Sequence, residues 1–493
     1  MDLRYFFGTR PGCDMYMFTP ARPLLPVLLL AACARGREVD PRVPSVWMNT
    51  LYGAVRTERV SPPVAARIFA YAGTAMYAGF AAANPKLESP AGKLNGLVAL
   101  PVATLGEEYD MGFSALFAER VVLDSMFADG LPGTLASIAN LADSLSAART
   151  AEGISDAVRG RSEALGRRTG LAIVAWAHGD GFDSTRGRPY VLPKGRGRWV
   201  NDAPVNWFAT QSTSATSELV VTDNPANVMS AGNMSERAII LSRPKRLGTA
   251  LPPVNMAGVT EPYWWQLRPF VLTKWSECPA PPPPPFSTDT SSTLYKEARE
   301  VFDVSRHLTP DQRTTALYWA DNPAETGTPA GHWLAIASQM VSEQHLTAGE
   351  GARLMMLTGV GIADAIIAAW GYKFTLNLLR PRPYLRELMD ANWEPAIPNP
   401  PFPEFLSGHS TISAAAATVL TSALGDVAFE DSTSISLGHA VRKFGSFRQA
   451  AEEAGQSRIF GGIHFASGNV SAQVLGRCVG GKVAERFQVR ARR

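Results

Sequence analysis

The chain is poor in cysteine. Its 493 residues hold four, Cys13, Cys33, Cys278 and Cys478. No two stand as Cys-x-x-Cys and no zinc-type cluster accompanies them, so a zinc-built fold is not expected. A surplus of one charge is also missing: 47 Lys and Arg stand against 44 Asp and Glu, a net charge of +3. Without a long basic run, nucleic acid is not an expected partner. Past the N-terminus there is no uninterrupted apolar stretch of about 18 residues, the length needed to cross a bilayer. What is present is a hydrophobic share of 46% beside 18% charged residues. At this length the chain can bury a large core divided into two to four structural units.

The N-terminus reads as an address. Arg22 precedes the short apolar run Pro23-Leu24-Leu25-Pro26-Val27-Leu28-Leu29-Leu30-Ala31-Ala32, an export signal too short to span a membrane. Its ending, Leu30-Ala31-Ala32-Cys33, resembles a bacterial lipobox. That implies a signal peptide over 1–32 and a lipidated Cys33, giving an exported, periplasmic or cell-surface protein that touches the membrane only through that lipid. An ordinary signal peptide is the alternative. The first fourteen residues look unlike a signal, so translation from Met15 or Met17 is an option. With Cys13 and Cys33 set aside, Cys278 and Cys478 could pair after export, but sequence does not give their separation.

Periodicity predicts an all-α protein of two helical halves, 33–277 and 293–493, with long loops and a proline-rich linker at 278–292. In the first half, helices are expected over 61–83, 106–127, 133–148 and 155–177. From His178 to Phe270 the pattern gives way to loops, with extended hints at 217–221 and 237–241 and an insertion at 211–247. Pro281 to Pro285 form a stiff polyproline spacer. The second half returns to helices over 293–307, 310–319, 331–343, 348–379, 410–424, 437–455 and 467–489.

Three segments carry chemistry. The apolar helix through Ile362–Trp370 continues to Lys373 and Arg380, whose spacing of seven puts both on one helical face before Pro381 and Pro383 end it. Ser407-Gly408-His409 follows a proline-rich approach, with Ser407 as the N-cap of a helix whose free N–H groups and dipole favour an anion. Ser457-Arg458 precedes Gly461-Gly462, a turn able to bring Arg458 and His464 together. Three cations, two imidazoles and a helix start describe a pocket for a tetrahedral or trigonal-bipyramidal oxyanion. Of the other histidines, His178, His307, His345 and His439 read as ordinary polar residues, and His332 as a packing or helix-start residue.

Lys-x6-Arg-Pro, Ser-Gly-His and Ser-Arg-x5-His in this order resemble the superfamily of vanadium-dependent haloperoxidases and type 2 phosphatidic acid phosphatases, over about Trp370 to Val479. Upstream, Tyr318-Trp319-Ala320-Asp321 and Thr328-Pro329-Ala330-Gly331-His332-Trp333 are similar to the haloperoxidase branch. The resemblance implies that the two helical halves are four-helix-bundle-like. It implies vanadate as cofactor, bound by Lys373, Arg380, Arg458, Ser407 and the Gly408 N–H. It implies His464 as axial vanadium ligand, or as phosphate nucleophile, and His409 as acid or base at the opposite apex. Lys373 would polarise hydrogen peroxide, and Trp370 and Phe402 would form the halide pocket. Phe402 is compatible with the chloride branch, though other members also carry an aromatic there. Hydrogen peroxide, a halide and a small organic acceptor are the implied partners, and an oligomer is compatible with them.

One departure separates the readings. The phosphatase pattern has an acidic residue four positions after the last histidine, and here that position is Gly468. A nucleophilic histidine needs a carboxylate to fix its tautomer, whereas a metal-bound ring needs one less. The sequence therefore favours the haloperoxidase over a soluble exported phosphatase, and both over a lipid-anchored binding protein without turnover.

Overall fold

Side-chain caps or prolines start all the long helices except Ala466–Arg486. The computed structural model describes residues 38–204 and 258–491, and from Val39 onward the chain forms one unit. Helices α1 (Val43–Thr57), α2 (Pro62–Ala83), α3 (Met111–Met126), α4 (Pro132–Ala151) and α5 (Asp156–His178) make up the first half. The second half has α6 (Thr293–Arg306), α7 (Pro310–Tyr318), α8 (Thr328–Glu343), α9 (Ala348–Leu376), α10 (Pro381–Leu388), α11 (Gly408–Leu424), α12 (Phe447–Phe460) and α13 (Ala466–Arg486). Ser155 caps α5 by accepting the Val158 N–H, and Thr309 with Gln312 and Thr347 with Glu350 form capping boxes at α7 and α9. The all-α class holds: the strands among the described residues are β1 (Phe429–Asp431) and β2 (Arg442–Phe444), paired antiparallel.

α9 is the central element. It packs against α2 from the first half and against α8, α11 and α13 from the second, so one apolar core runs between them. Small residues permit the α2–α9 approach: a Cβ on Gly73 would stand 3.0 Å from the Met356 backbone. By length and composition α9 could cross a membrane, but its apolar stretch is wholly buried in this fold. At its middle the Asp364 carboxylate accepts the backbone N–H groups of Phe270, Val271 and Leu272 at 2.6, 2.8 and 2.9 Å. These bonds pin the 258–278 segment against the helices, and burial pushes Asp364 up to about 6 despite them.

Cys278 and Cys478 are disulfide-bonded, their Cα atoms 5.8 Å apart across 200 residues of sequence. Replacing both with alanine is expected to cost about 2–5 kcal/mol, because the bond removes loop entropy from the unfolded chain. A lower urea midpoint in the oxidised wild type than in the variant would contradict this.

Two helix expectations need correction. The 348–379 helix ends at Leu376, where Asn377 takes a left-handed conformation with φ +51°. Lys373 and Arg380 therefore do not share a helical face. Arg380 is the extended N-cap residue of α10, with Pro381 in the first turn. Proline excludes the helical conformation from the residue before it yet suits a helix start, so here it opens a helix. The 437–455 helix begins only after Ser446, which caps Gln449; residues before it form β2. Around the break between α9 and α10, Trp199 N–H donates to Asn377 O and Leu379 N–H to Gly197 O. The extended hints at 217–221 and 237–241, the insertion at 211–247 and the segment through Cys33 lie outside the described residues.

Candidate active site

The three segments meet where α9, α11 and α12 end or begin. Lys373, in the last turn of α9, is fully buried and donates to the carbonyls of Pro403 at 2.8 Å and Glu404 at 3.0 Å. Arg380, equally buried, donates from Nε to Phe402 O at 3.0 Å and from Nη1 to Ile463 O at 2.8 Å. Arg458, at the end of α12, donates from Nη2 to Trp319 O at 2.6 Å and from Nε to Ser457 Oγ at 2.9 Å. These hydrogen-bond partners are neutral, while the carboxylates of Glu404, near Lys373 and Arg380, and of Asp321, near Arg458, offset part of the charge without a direct ion pair among the described residues. Arg380 Nη1 lies 3.5 Å from His464 Nε2, and Arg458 Nη1 lies 3.5 Å from His409 Nε2.

Ser407 is the N-cap of α11 and accepts from the Ser410 N–H at 3.3 Å, and the two hydroxyl oxygens lie 2.7 Å apart. Ser410 has one hydroxyl proton and Asn469 Oδ1 accepts it, so the Ser407 O–H has both the Ser410 oxygen and the pocket open to it. The helix start at Gly408 and His409 opens onto a cavity of about 560 Å3, mouth included, whose lining includes Trp370, Phe402, Arg458 and His464. Proline and isoleucine side chains form much of its wall. Trp370 and Phe402 stand 5.0 Å apart, and Lys373 Nζ lies 5.0 Å from the Phe402 ring centre. Every residue of the sequence signature is thus brought to one place.

The electrostatics are those of an anion site. Burial, then Arg380, holds Lys373 well below its ordinary range. Burial lowers Arg380 and Arg458 to about 10. Burial and neighbouring cations hold His409 and His464 well below the usual imidazole range. Crowded buried cations are costly unless an anion offsets them.

The carboxylate that seemed to be missing comes from another strand of chain. His464 Nδ1 lies 2.8 Å from Glu404 Oε1, which also accepts the Phe465 N–H at 3.2 Å. A Cβ placed on Gly468 would stand 2.2 Å from that same Glu404 oxygen. Position 468 is glycine because Glu404 occupies the space its side chain would need. His464 therefore has an orienting carboxylate, contrary to what glycine at 468 suggests from sequence. Burial pushes Glu404 up to about 7, against the pull of Lys373 and Arg380. The signal lay in Pro403-Glu404-Phe405, but nothing local tells that this carboxylate reaches His464 sixty residues away.

A second network was also missed. His332, read as a packing residue, is buried with Nδ1 2.9 Å from Asp321 Oδ1 and Nε2 2.8 Å from Asp431 Oδ2. Asp321 Oδ2 lies 3.8 Å from His409 Nε2. Burial opposes charge on His332, but the two carboxylates outweigh it and raise the ring to about 10. A histidine raised in the fold contributes stability fully present below pH 6.5 and lost as pH rises through about 10. Unfolding free energy is expected to fall between pH 7 and 10 by up to about 1.4 kcal/mol per unit, and by less in His332→Gln. Equal pH slopes in urea unfolding of the two proteins would contradict this.

Residues 353–492 match the family model of the VCPO second helical-bundle domain. A crystal structure described as the first bacterial vanadium-dependent iodoperoxidase superposes with a TM-score of 0.75 and 29% identity, over 92% of this chain and 98% of that one. Both matches are to vanadium-dependent haloperoxidases, which the three sequence motifs resemble. Bacterial vanadium-dependent chloroperoxidases in apo and holo forms share the fold, with TM-scores of 0.54 and 0.53 and identities of 14% and 16%. They cover 91% of this chain and 95% and 93% of their own. No curated protein matches.

The residues present fit a bound vanadate. Three buried cations, a serine O–H and a helix N-terminus suit the oxygens of an oxyanion, and the Nδ1–Glu404 contact leaves His464 Nε2 for the metal. Among the described residues no group of three or more His, Cys, Asp or Glu is placed to hold a bare metal cation.

Proposed function

We propose that this protein is a vanadate-dependent haloperoxidase that oxidises halide with hydrogen peroxide, His464 being the vanadium ligand. The observation that carries this reading is the buried cluster of Lys373, Arg380 and Arg458 around two imidazoles at a helix start. When bound, vanadate supplies a Lewis-acidic centre that makes peroxide electrophilic toward halide. The chain's residues do the rest. Arg380, Arg458, the Ser407 O–H and the Gly408 N–H bind the oxyanion, and Glu404 fixes the His464 ring with Nε2 toward it. His409, kept neutral by burial and Arg458, takes and returns protons. Lys373 uses two N–H bonds on carbonyls and has a third to polarise peroxide. Trp370 and Phe402 exclude water and receive the halide.

Similarity to a vanadium-dependent iodoperoxidase makes iodide the first halide to assay. The test is halide oxidation by protein with and without vanadate, beside phosphate-ester hydrolysis by the vanadate-free form. Vanadate-dependent oxidation is the expected result; hydrolysis without any oxidation would overturn the reading. Lys373→Ala and Arg380→Ala should each weaken vanadate binding by about 1.5–3 kcal/mol. At saturating vanadate, Lys373→Ala alone should also lower turnover. Equal turnover of the two would remove the special role of Lys373.

The second reading, an exported phosphatase with His464 as nucleophile, His409 as acid and the same cations on phosphate, is favoured by one observation. Glu404 supplies the tautomer-fixing carboxylate that such chemistry needs. The same paired assay decides between them.

Export is likewise proposed, with Cys33 lipidated at the cell surface or in the periplasm. The Arg22–Cys33 segment and the Cys278–Cys478 disulfide, of a kind that persists in oxidising compartments, support it. A small organic acceptor for the oxidised halogen belongs to the same reading.

A further inference from the structure

Beyond the oxyanion pocket, the molecule buries an Asp–His–Asp chain that ends at His409. Its distal member is saturated. Asp431 Oδ1 accepts the Thr433 N–H at 3.0 Å and the Thr433 hydroxyl at 2.7 Å, its Oδ2 faces His332, and its carbonyl accepts the Tyr318 hydroxyl at 3.0 Å. The proximal member is half used. Asp321 Oδ1 faces His332, while the buried Oδ2 has no hydrogen-bond partner among the described residues and points toward His409. Asp321 also holds φ +48°, a left-handed conformation that costs energy unless its surroundings enforce it. Trp319 stacks on the His332 ring at 4.4 Å and 11°, and its carbonyl is the one that anchors Arg458.

We propose that His332, clamped as an imidazolium between Asp431 and Asp321, is a positioning residue that holds the free oxygen of Asp321 against His409. The inference rests on the acid–base role given to His409 above. A neutral imidazole has one N–H and can donate to only one of two carboxylates. Nδ1 lies 2.9 Å from Asp321 and Nε2 lies 2.8 Å from both Asp431 and the Thr433 hydroxyl; that hydroxyl gives its proton to Asp431 Oδ1, so each ring nitrogen faces acceptors and carries a proton. The titratable and charged groups around the ring are Asp321, Asp431 and Tyr318, with Arg458 and His409 beyond Asp321. His332 moves no proton. Its fixed charge keeps Asp321 ionised and oriented, so that when His409 takes up a proton an acceptor stands ready beside Nε2.

The test is proton–nitrogen correlation NMR on the vanadate-free, full-length protein labelled in its histidine rings. His332 is assigned by its loss in His332→Gln and by its shift in Asp431→Asn. Both His332 nitrogens are expected in the protonated range from pH 6 to 8, and the His409 resonances should shift in Asp431→Asn, whose side chain faces His332 rather than His409. An unprotonated nitrogen on His332 in that range, or unmoved His409 resonances in folded Asp431→Asn, would overturn the proposal. In the vanadate-loaded enzyme, Asp431→Asn should lower turnover at saturating peroxide and halide about tenfold, with vanadate affinity within about twofold of wild type. A purely structural role would leave the turnover of the folded protein unchanged, and that result too would overturn it. If the wild type oxidises no halide, the haloperoxidase reading fails by itself, and the NMR result still decides the clamp.

Discussion

His464→Ala is expected to abolish vanadium retention. In the proposed function every other contact of the pocket is a charge-assisted hydrogen bond to an anion that can exchange, whereas the His464 imidazole would supply a coordinate bond. Its Nδ1 is committed to Glu404 at 2.8 Å, so the ring cannot be replaced by a neighbour already oriented for the task. The loss should be at least about 100-fold in affinity, or ~2.8 kcal/mol at 1.4 kcal/mol per factor of ten. Vanadium per chain after desalting is the measurement, with circular dichroism to confirm folding. Retention equal to wild type would mean that His464 is not the ligand.

Gly468→Asp is expected to damage the protein, although from sequence the change looks like a restoration of the phosphatase pattern. A Cβ at 468 would stand 2.2 Å from Glu404 Oε1 and 2.9 Å from its Cδ. Glu404 is buried and bonded to His464 and Phe465, so it cannot swing aside freely. The variant would also bring a second carboxylate beside the first in a low-dielectric site. Overpacking and like-charge contact together should cost about 3 kcal/mol or more in urea unfolding. Glu404→Ala alone should cost about 1–3 kcal/mol by leaving buried donors unpaired. The double variant Glu404→Ala/Gly468→Asp should be more stable than Gly468→Asp, because the new carboxylate then enters the vacated space. A double variant no better than Gly468→Asp would show that the two positions do not compete for one space.

Much of this protein was legible in its sequence because the relevant physics is local. Helix periodicity gave the all-α class, and Ser407 capped the helix where a Ser-Gly-His segment behind prolines predicted it. The order of Lys373, Arg380, His409, Arg458 and His464 along the chain was enough to describe an anion pocket, since those residue types have few other reasons to be buried together. Local signals conflict at Pro381: by sequence it stops a helix, while the fold uses it as a helix start after Asn377 breaks α9.

Tertiary structure alone decided the rest. That Cys278 meets Cys478, that Glu404 stands where a side chain at 468 would point, and that His332 joins Asp321 to Asp431 are contacts across 200, 64 and about 100 residues of chain. Sequence fixes which side chains can carry charge, donate or coordinate, and which stretches coil. It does not encode by spacing which carboxylate reaches which imidazole, because that pairing depends on how helices cross. In this protein the crossings of α9, α11, α12 and α13 set it.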